Sequence, residues 1–267
     1  MNHTGKSASA DIDETVSHGE VRSVNTRWQI VCAWCGPAAL LVFFVGFATA
    51  GFFPPIRPDL DVADVVRTYS EHATAIRLGT FVMVFSSGLV TPFAAALSLH
   101  LRRTEDREFP VLSLTQFAAG TTGIMMFLTQ AMFWSIAAYR PQRSPEITQA
   151  LNDIAWFFTV MPFCLIFIQA LAVAGAIFSD KRERPVFPRW LGYLNVWCAV
   201  LYVPGGTCTF FKVGPLAWNG LFAFWTPACV YLTWFTVMAA QVTKAARRYR
   251  DEVEGRSSRP TAIATTG

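Results

Sequence analysis

Long apolar runs separated by short charged breaks set the plan of this chain. Runs over residues 30–53, 76–101, 111–138, 154–178, 190–211 and 219–242 each reach the roughly 20 residues that a helix needs to cross a bilayer. Backbone polar groups must pair internally in lipid, so the runs predict an all-α fold: a polytopic transmembrane helical bundle of six spans. The first run closes at Phe52, Phe53, Pro54 and Pro55, where the prolines cannot continue a helix. In the third, Gln116, Gly120, Gly123, Phe127, Gln130 and Trp134 are spaced by four or three, which places them on one helical stripe facing other helices. Close packing at the glycines and hydrogen bonds from the glutamines account for such a stripe. A substrate path lined by Gln116 and Gln130 is the sharper reading.

The breaks carry patterns of their own. Between the first two spans, Val62, Val65, Val66 and Tyr69 recur at helical spacing with Asp61, Asp64, Arg67 and Glu71 around the rest of the wheel. This predicts a short amphipathic helix in the first outer loop, with Asp59 available as its cap. Ser144, Pro145 and Glu146 fit the first positions of a helix leading into the fourth span, and Pro162 should bend that span. Pro204, Gly205 and Gly206 interrupt the fifth run, and Pro227 lies in the sixth.

Charge sets the orientation. Arg102, Arg103 and Arg107, then Lys181, Arg182, Arg184 and Arg189, then the Lys244 to Arg250 segment all fall on one side of a six-span arrangement. The positive-inside rule makes that side cytoplasmic and puts both termini there. Residues 1–27 are expected to be a disordered cytoplasmic tail, 28–243 the six-span domain, and 244–267 a basic cytoplasmic tail. The composition, 53% hydrophobic and only 15% charged, excludes an ordinary soluble domain. The net charge of +4 reports topology rather than an affinity for nucleic acid.

Candidate chemistry is sparse. His3, His18, His72 and His100 cannot supply a haem or di-iron site, and no zinc-protease, phosphate-loop or paired-carboxylate motif is present. No catalytic residue, metal site or cofactor is therefore assigned, and a membrane-embedded enzyme ranks third among the functions. The six cysteines lie in or beside apolar runs, where thiols behave as small hydrophobes. Cys32 and Cys35 form CAWC, but no second pair stands in a loop to exchange with it. The unusual residues gather instead at one outer mouth: Asp153 and Trp156, Gln130 and Trp134, and Lys212, Trp218 and Asn219. The plainer reading makes Lys212 and the tryptophans interface anchors, with Lys212 paired to Asp153 or to lipid phosphate. The alternative makes them a ligand-binding site, Lys212 neutralising an anionic group while the aromatics hold an apolar body.

The segments PPIRPDLDVADVVRTYSEHATAIRLGT, PRWLGYLNVW and FFKVGPLAWNGLFAFW resemble uncharacterised six-span integral membrane proteins of actinobacterial type, over roughly residues 50 to 240. The resemblance implies a multi-pass protein of a bacterial cytoplasmic membrane and names no activity. Two functions stay open beside each other. One is binding or transport of a small amphipathic or hydrophobic molecule, suggested by the proline and glycine interruptions. The other is an accessory or assembly subunit packed against a membrane protein partner.

Overall fold

The computed structural model describes residues 5–105 and 108–257, with side chains from 25 to 105 and from 108 to 254. The expected tails fall partly outside those residues. The described chain is helical, without strands. Helices α1 (Gly5–Thr49), α2 (Val62–Glu71), α3 (Ala73–Ser87), α4 (Val90–Leu101), α5 (Val111–Thr122) and α6 (Ile124–Tyr139) are followed by α7 (Pro145–Val160), α8 (Phe163–Ser179), α9 (Arg189–Tyr202) and α10 (Thr226–Ser257). A 3₁₀ helix, Val203–Thr209, continues α9, and a π turn, Leu221–Trp225, leads into α10.

Among the described residues, five helical stretches are long and apolar enough to cross a membrane: Asn25–Thr49, Ala73–Leu101, Val111–Tyr139, Pro145–Ser179 and Leu221–Glu254. Large apolar side chains such as Phe81, Phe85 and Trp197 point outward, about two-thirds or more exposed, which suits lipid rather than water. The build is that of a multi-pass membrane protein. The run at 190–211 departs from the expected continuous span, because its α-helix stops at Tyr202. Pro204 has no N–H for the next turn of an α-helix, and the tighter 3₁₀ winding takes over.

Proline and glycine set the other breaks as well. Pro162 separates α7 from α8, so the expected bend is a full interruption. In the second span the break falls at Gly88 and Leu89, one turn before Pro92, where the proline ring collides with the carbonyl four residues back. Ser144 precedes α7 with Pro145 at its start, and its hydroxyl donates to the Glu146 carboxylate. Helix α2 is preceded by Asp61 rather than capped by Asp59. The Arg57 guanidinium takes both Asp59 carboxylate oxygens and leaves that side chain no freedom to cap.

Neighbours in sequence are neighbours in space. The first four spanning stretches pack each on the next, α9 joins α8 to α10, and α10 returns to α1, closing a ring. The α1–α3 crossing is the tightest point: a Cβ built on Gly79 would lie 2.3 Å from the Gly46 carbonyl oxygen. Only glycine permits that backbone approach. Two cores fill the ring. One, at the end that carries the basic loops, is built around Leu97, Leu101, Trp234 and Met238. The other, at the end beneath α2, is dominated by Phe47, Phe52, Trp134, Trp156, Trp218 and Phe224.

Candidate functional site

The residues expected at one mouth occupy three levels. Lys212 and Asn219 line a shallow groove at the surface with Arg57 and Asp59. Among the described residues no carboxylate lies within ion-pair distance of Lys212; it acts on Asp153 only at longer range. The reason is local. Lys212 sits in an exposed turn closed by Gly214 at φ +86°, whereas the half-buried Asp153 accepts a hydrogen bond from Asn152 Nδ2 at 3.1 Å.

Below the groove the tryptophans form a plug. Trp134 and Trp156 meet edge to face with centroids 5.0 Å apart, Trp156 stacks on Trp218 at 6.3 Å, and Phe52 closes on Trp134 at 4.6 Å. Polar atoms pin this plug to the loops above. Asn152 Oδ1 accepts both the Tyr69 hydroxyl at 3.0 Å and Trp156 Nε1–H at 3.1 Å, and Trp218 Nε1–H donates to the Ile56 carbonyl at 2.7 Å. Burial, helped by the negative charge of Asp153, pushes the Tyr69 phenol well above its ordinary range, so it remains a donor. The amphipathic helix α2 is thereby latched to α7.

Under the plug lies a small cavity of about 80 Å³. Phe43 and Phe44 of α1, Phe127 and Gln130 of α6, Val160 and Phe163 at the α7/α8 break, Tyr202 at the end of α9, and Phe224 and Tyr231 line it. None of its lining residues is charged. Gln130 is 3% and Tyr202 2% exposed, and both the Gln130 carbonyl oxygen and the Tyr202 hydroxyl lack a hydrogen-bond partner. Leaving such groups unpaired in an apolar surround costs about 1–3 kcal/mol each. Gly205 lets the 3₁₀ helix lie against α7, since a Cβ there would stand 2.7 Å from the Val160 carbonyl oxygen.

The third-span stripe does face inward, with Gln116, Gly120, Gln130 and Trp134 buried. Of its two glutamines only Gln130 reaches the cavity; Gln116 is buried toward the basic end. Tyr202, Phe43, Phe224 and Tyr231 escaped the sequence reading. A signal for them existed, because Pro162, Pro204 and Pro227 interrupt three successive apolar runs, and the cavity lies beside all three breaks. CAWC takes no part: Cys32 and Cys35 are free thiols on α1, away from the cavity lining.

No protein-family model, curated protein or solved structure matches this chain. The function is therefore read from the cavity alone.

Proposed function

We propose that the protein binds a small uncharged amphipathic or hydrophobic molecule in the cavity beneath the tryptophan plug. The observation that carries this reading is a pair of buried polar atoms without partners, Gln130 Oε1 and Tyr202 OH, in two residues that line an aromatic chamber. A ligand O–H or N–H would satisfy the Gln130 carbonyl, and its apolar body would lie among the phenylalanines. A carboxylate or ammonium would find no counter-charge there, and its desolvation would go uncompensated. Lys212 and Asn219 lie at the outer groove, where they would meet a ligand only on its approach.

The same reading takes the chain to cross the membrane six times, with the basic end and both termini on the cytoplasmic side of a bacterial membrane. Helix α9 and the 3₁₀ helix together rise about 35 Å, enough for a bilayer core of about 30 Å. Their course supports a broken crossing by the fifth run: Gly192 lies against Phe178 at the basic end of α8, Gly205 against Val160 at the α7/α8 break, and the following Lys212 beside Arg57 at the α2 end. The test is mass spectrometry of the protein released intact from mild detergent. A neutral molecule retained by the wild type and lost from Tyr202→Phe and Gln130→Leu is the expected result. An empty wild type that also fails to respond thermally to a panel of neutral amphiphiles would sink the proposal.

A further inference from the structure

A second polar concavity lies at the opposite end of the bundle, between the turn after α4, the 180–188 loop and α10. It is an open cleft of about 520 Å³, and its walls carry Arg103, Arg182, Arg184 and Arg248 together with Asp251 and Glu252. We propose that this cleft binds a phosphate group, either the headgroup of an anionic lipid or a free phosphate.

Three of the four guanidiniums are held in place by the protein itself. Asp180, 4% exposed, accepts Arg182 Nε–H and Nη2–H at 2.8 Å each, together with the Val186 backbone N–H at 2.9 Å. Arg248 Nη2 donates to the Val186 carbonyl. Arg103 lies over the Tyr249 ring at 4.3 Å, and its Nη1 reaches His100 Nδ1 at 3.4 Å. That His100 nitrogen is the acceptor, since the other ring nitrogen faces the Gln29 side-chain carbonyl at 3.1 Å.

These tethers leave N–H groups to spare, because a guanidinium carries five. Arg182 spends two on Asp180, and Arg248 and Arg103 one each on their partners. The charge is also out of balance. Half-buried Arg103 has its proton affinity lowered first by burial and then by Arg182, with Arg248 adding to the effect and Glu252 opposing it. Asp251 is drawn away by hydrogen bonds from Arg250. Fixed guanidiniums with free donors and surplus positive charge suit the tetrahedral oxygens of a phosphate, which arginine recognises through several bonds at once. Basic concavities beside helix ends in a membrane protein sit at headgroup depth.

The experiment has two arms, both read as unfolding midpoints. The protein in detergent is titrated with inorganic phosphate. In parallel it is placed in nanodiscs of phosphatidylcholine with increasing phosphatidylglycerol. A rise only in the nanodisc series identifies a lipid headgroup, and a rise with phosphate in detergent identifies a free anion. Arg184→Gln, at an exposed position that supports no packing, should raise the half-saturating concentration roughly fivefold, and Arg103→Gln should do the same. Arg143→Gln removes the same charge at the opposite end and should leave the response unchanged. No rise in either arm, or a rise of equal size and midpoint in wild type, Arg184→Gln and Arg103→Gln, would overturn the proposal.

Discussion

Replacing Gln130 with leucine separates a ligand site from a packing fault, because the two predict opposite pairs of outcomes. The side chain is 3% exposed and its carbonyl oxygen is unpartnered, so the empty protein carries an unmet acceptor in a water-poor chamber. Leucine is one atom shorter but of comparable volume, and has no polar atom. Its introduction should stabilise the empty protein by about 1–3 kcal/mol, which for a chain of this size is about 2–4 °C in midpoint per kcal/mol. The same change removes the acceptor that a ligand hydroxyl would use. Affinity for a neutral probe such as dodecanol should therefore fall by about 5- to 150-fold, the equivalent of that energy. Thermal unfolding in detergent, with and without dodecanol, measures both effects, and dodecanoate serves as the charged comparison that the cavity should refuse. Wild type should gain about 2.7 kcal/mol at a hundred times its dissociation constant, and Gln130→Leu should gain far less at that concentration. A variant that is less stable when empty and responds to dodecanol as wild type does would refute the reasoning, since the carbonyl would then be serving the fold.

Other consequences are as direct. Asn152→Leu strands the Tyr69 hydroxyl and Trp156 Nε1–H together, so it should destabilise by about 2–4 kcal/mol and expose the α2 loop to protease, read by unfolding midpoint and limited proteolysis. Gly79→Leu forces a side chain into space where even a Cβ meets the Gly46 carbonyl oxygen at 2.3 Å; an over-packing loss of at least about 1–3 kcal/mol should appear as reduced folded yield in size-exclusion chromatography. At Asp180 burial opposes ionisation, but hydrogen bonds from Arg182 and the Val186 and Arg182 backbone N–H groups outweigh it and hold the carboxyl below its ordinary value of 3.8. A lowered folded value means that the stabilisation is complete above that ordinary value and is lost as pH falls through the lowered one. Wild type should thus lose stability relative to Asp180→Asn in acid unfolding below about pH 4. Lys212→Met, in an exposed turn without an ion-pair partner, should change stability by less than about 0.5 kcal/mol, whereas a comparable loss in Lys212→Met and Asp153→Asn would show that the two support each other.

Much of the architecture is written locally. The apolar runs locate the five spanning stretches, the first three to within about five residues, while the helical stretches extend well beyond the runs at Pro145 and at Glu254. The period of Val62, Val65, Val66 and Tyr69 gives α2, and Ser144 with Pro145 gives the start of α7. Each depends on propensity, periodicity or a missing N–H, properties that neighbours in sequence decide. Pro92 adds a break to the second span, and it falls a turn earlier because the steric conflict of the ring lies with the preceding turn. Asp59 shows a failure of local reading. Its choice between capping α2 and binding Arg57 depends on a competition that spacing cannot weigh.

The candidate site was only half legible. Gln130 could be singled out because a glutamine inside an apolar stripe is costly wherever it lies. That Gln130 of α6 and Tyr202 of α9 line one cavity is announced by nothing in their separation along the chain. Lys212 and Asp153 mislead in the opposite sense, since opposite charges at one membrane level invite pairing, yet the exposed turn and the Asn152 hydrogen bond keep them out of contact. The sequence alone determined that the chain is helical, suited to a bilayer, and poor in groups for acid, base or metal chemistry, because composition and period act one residue at a time. Tertiary structure decided where the three proline breaks converge, which tryptophans became a buried cluster rather than an open mouth, and which arginines turned toward one another. Those outcomes depend on how rigid helices cross, and a crossing such as Gly46 over Gly79 is a property of two segments at once.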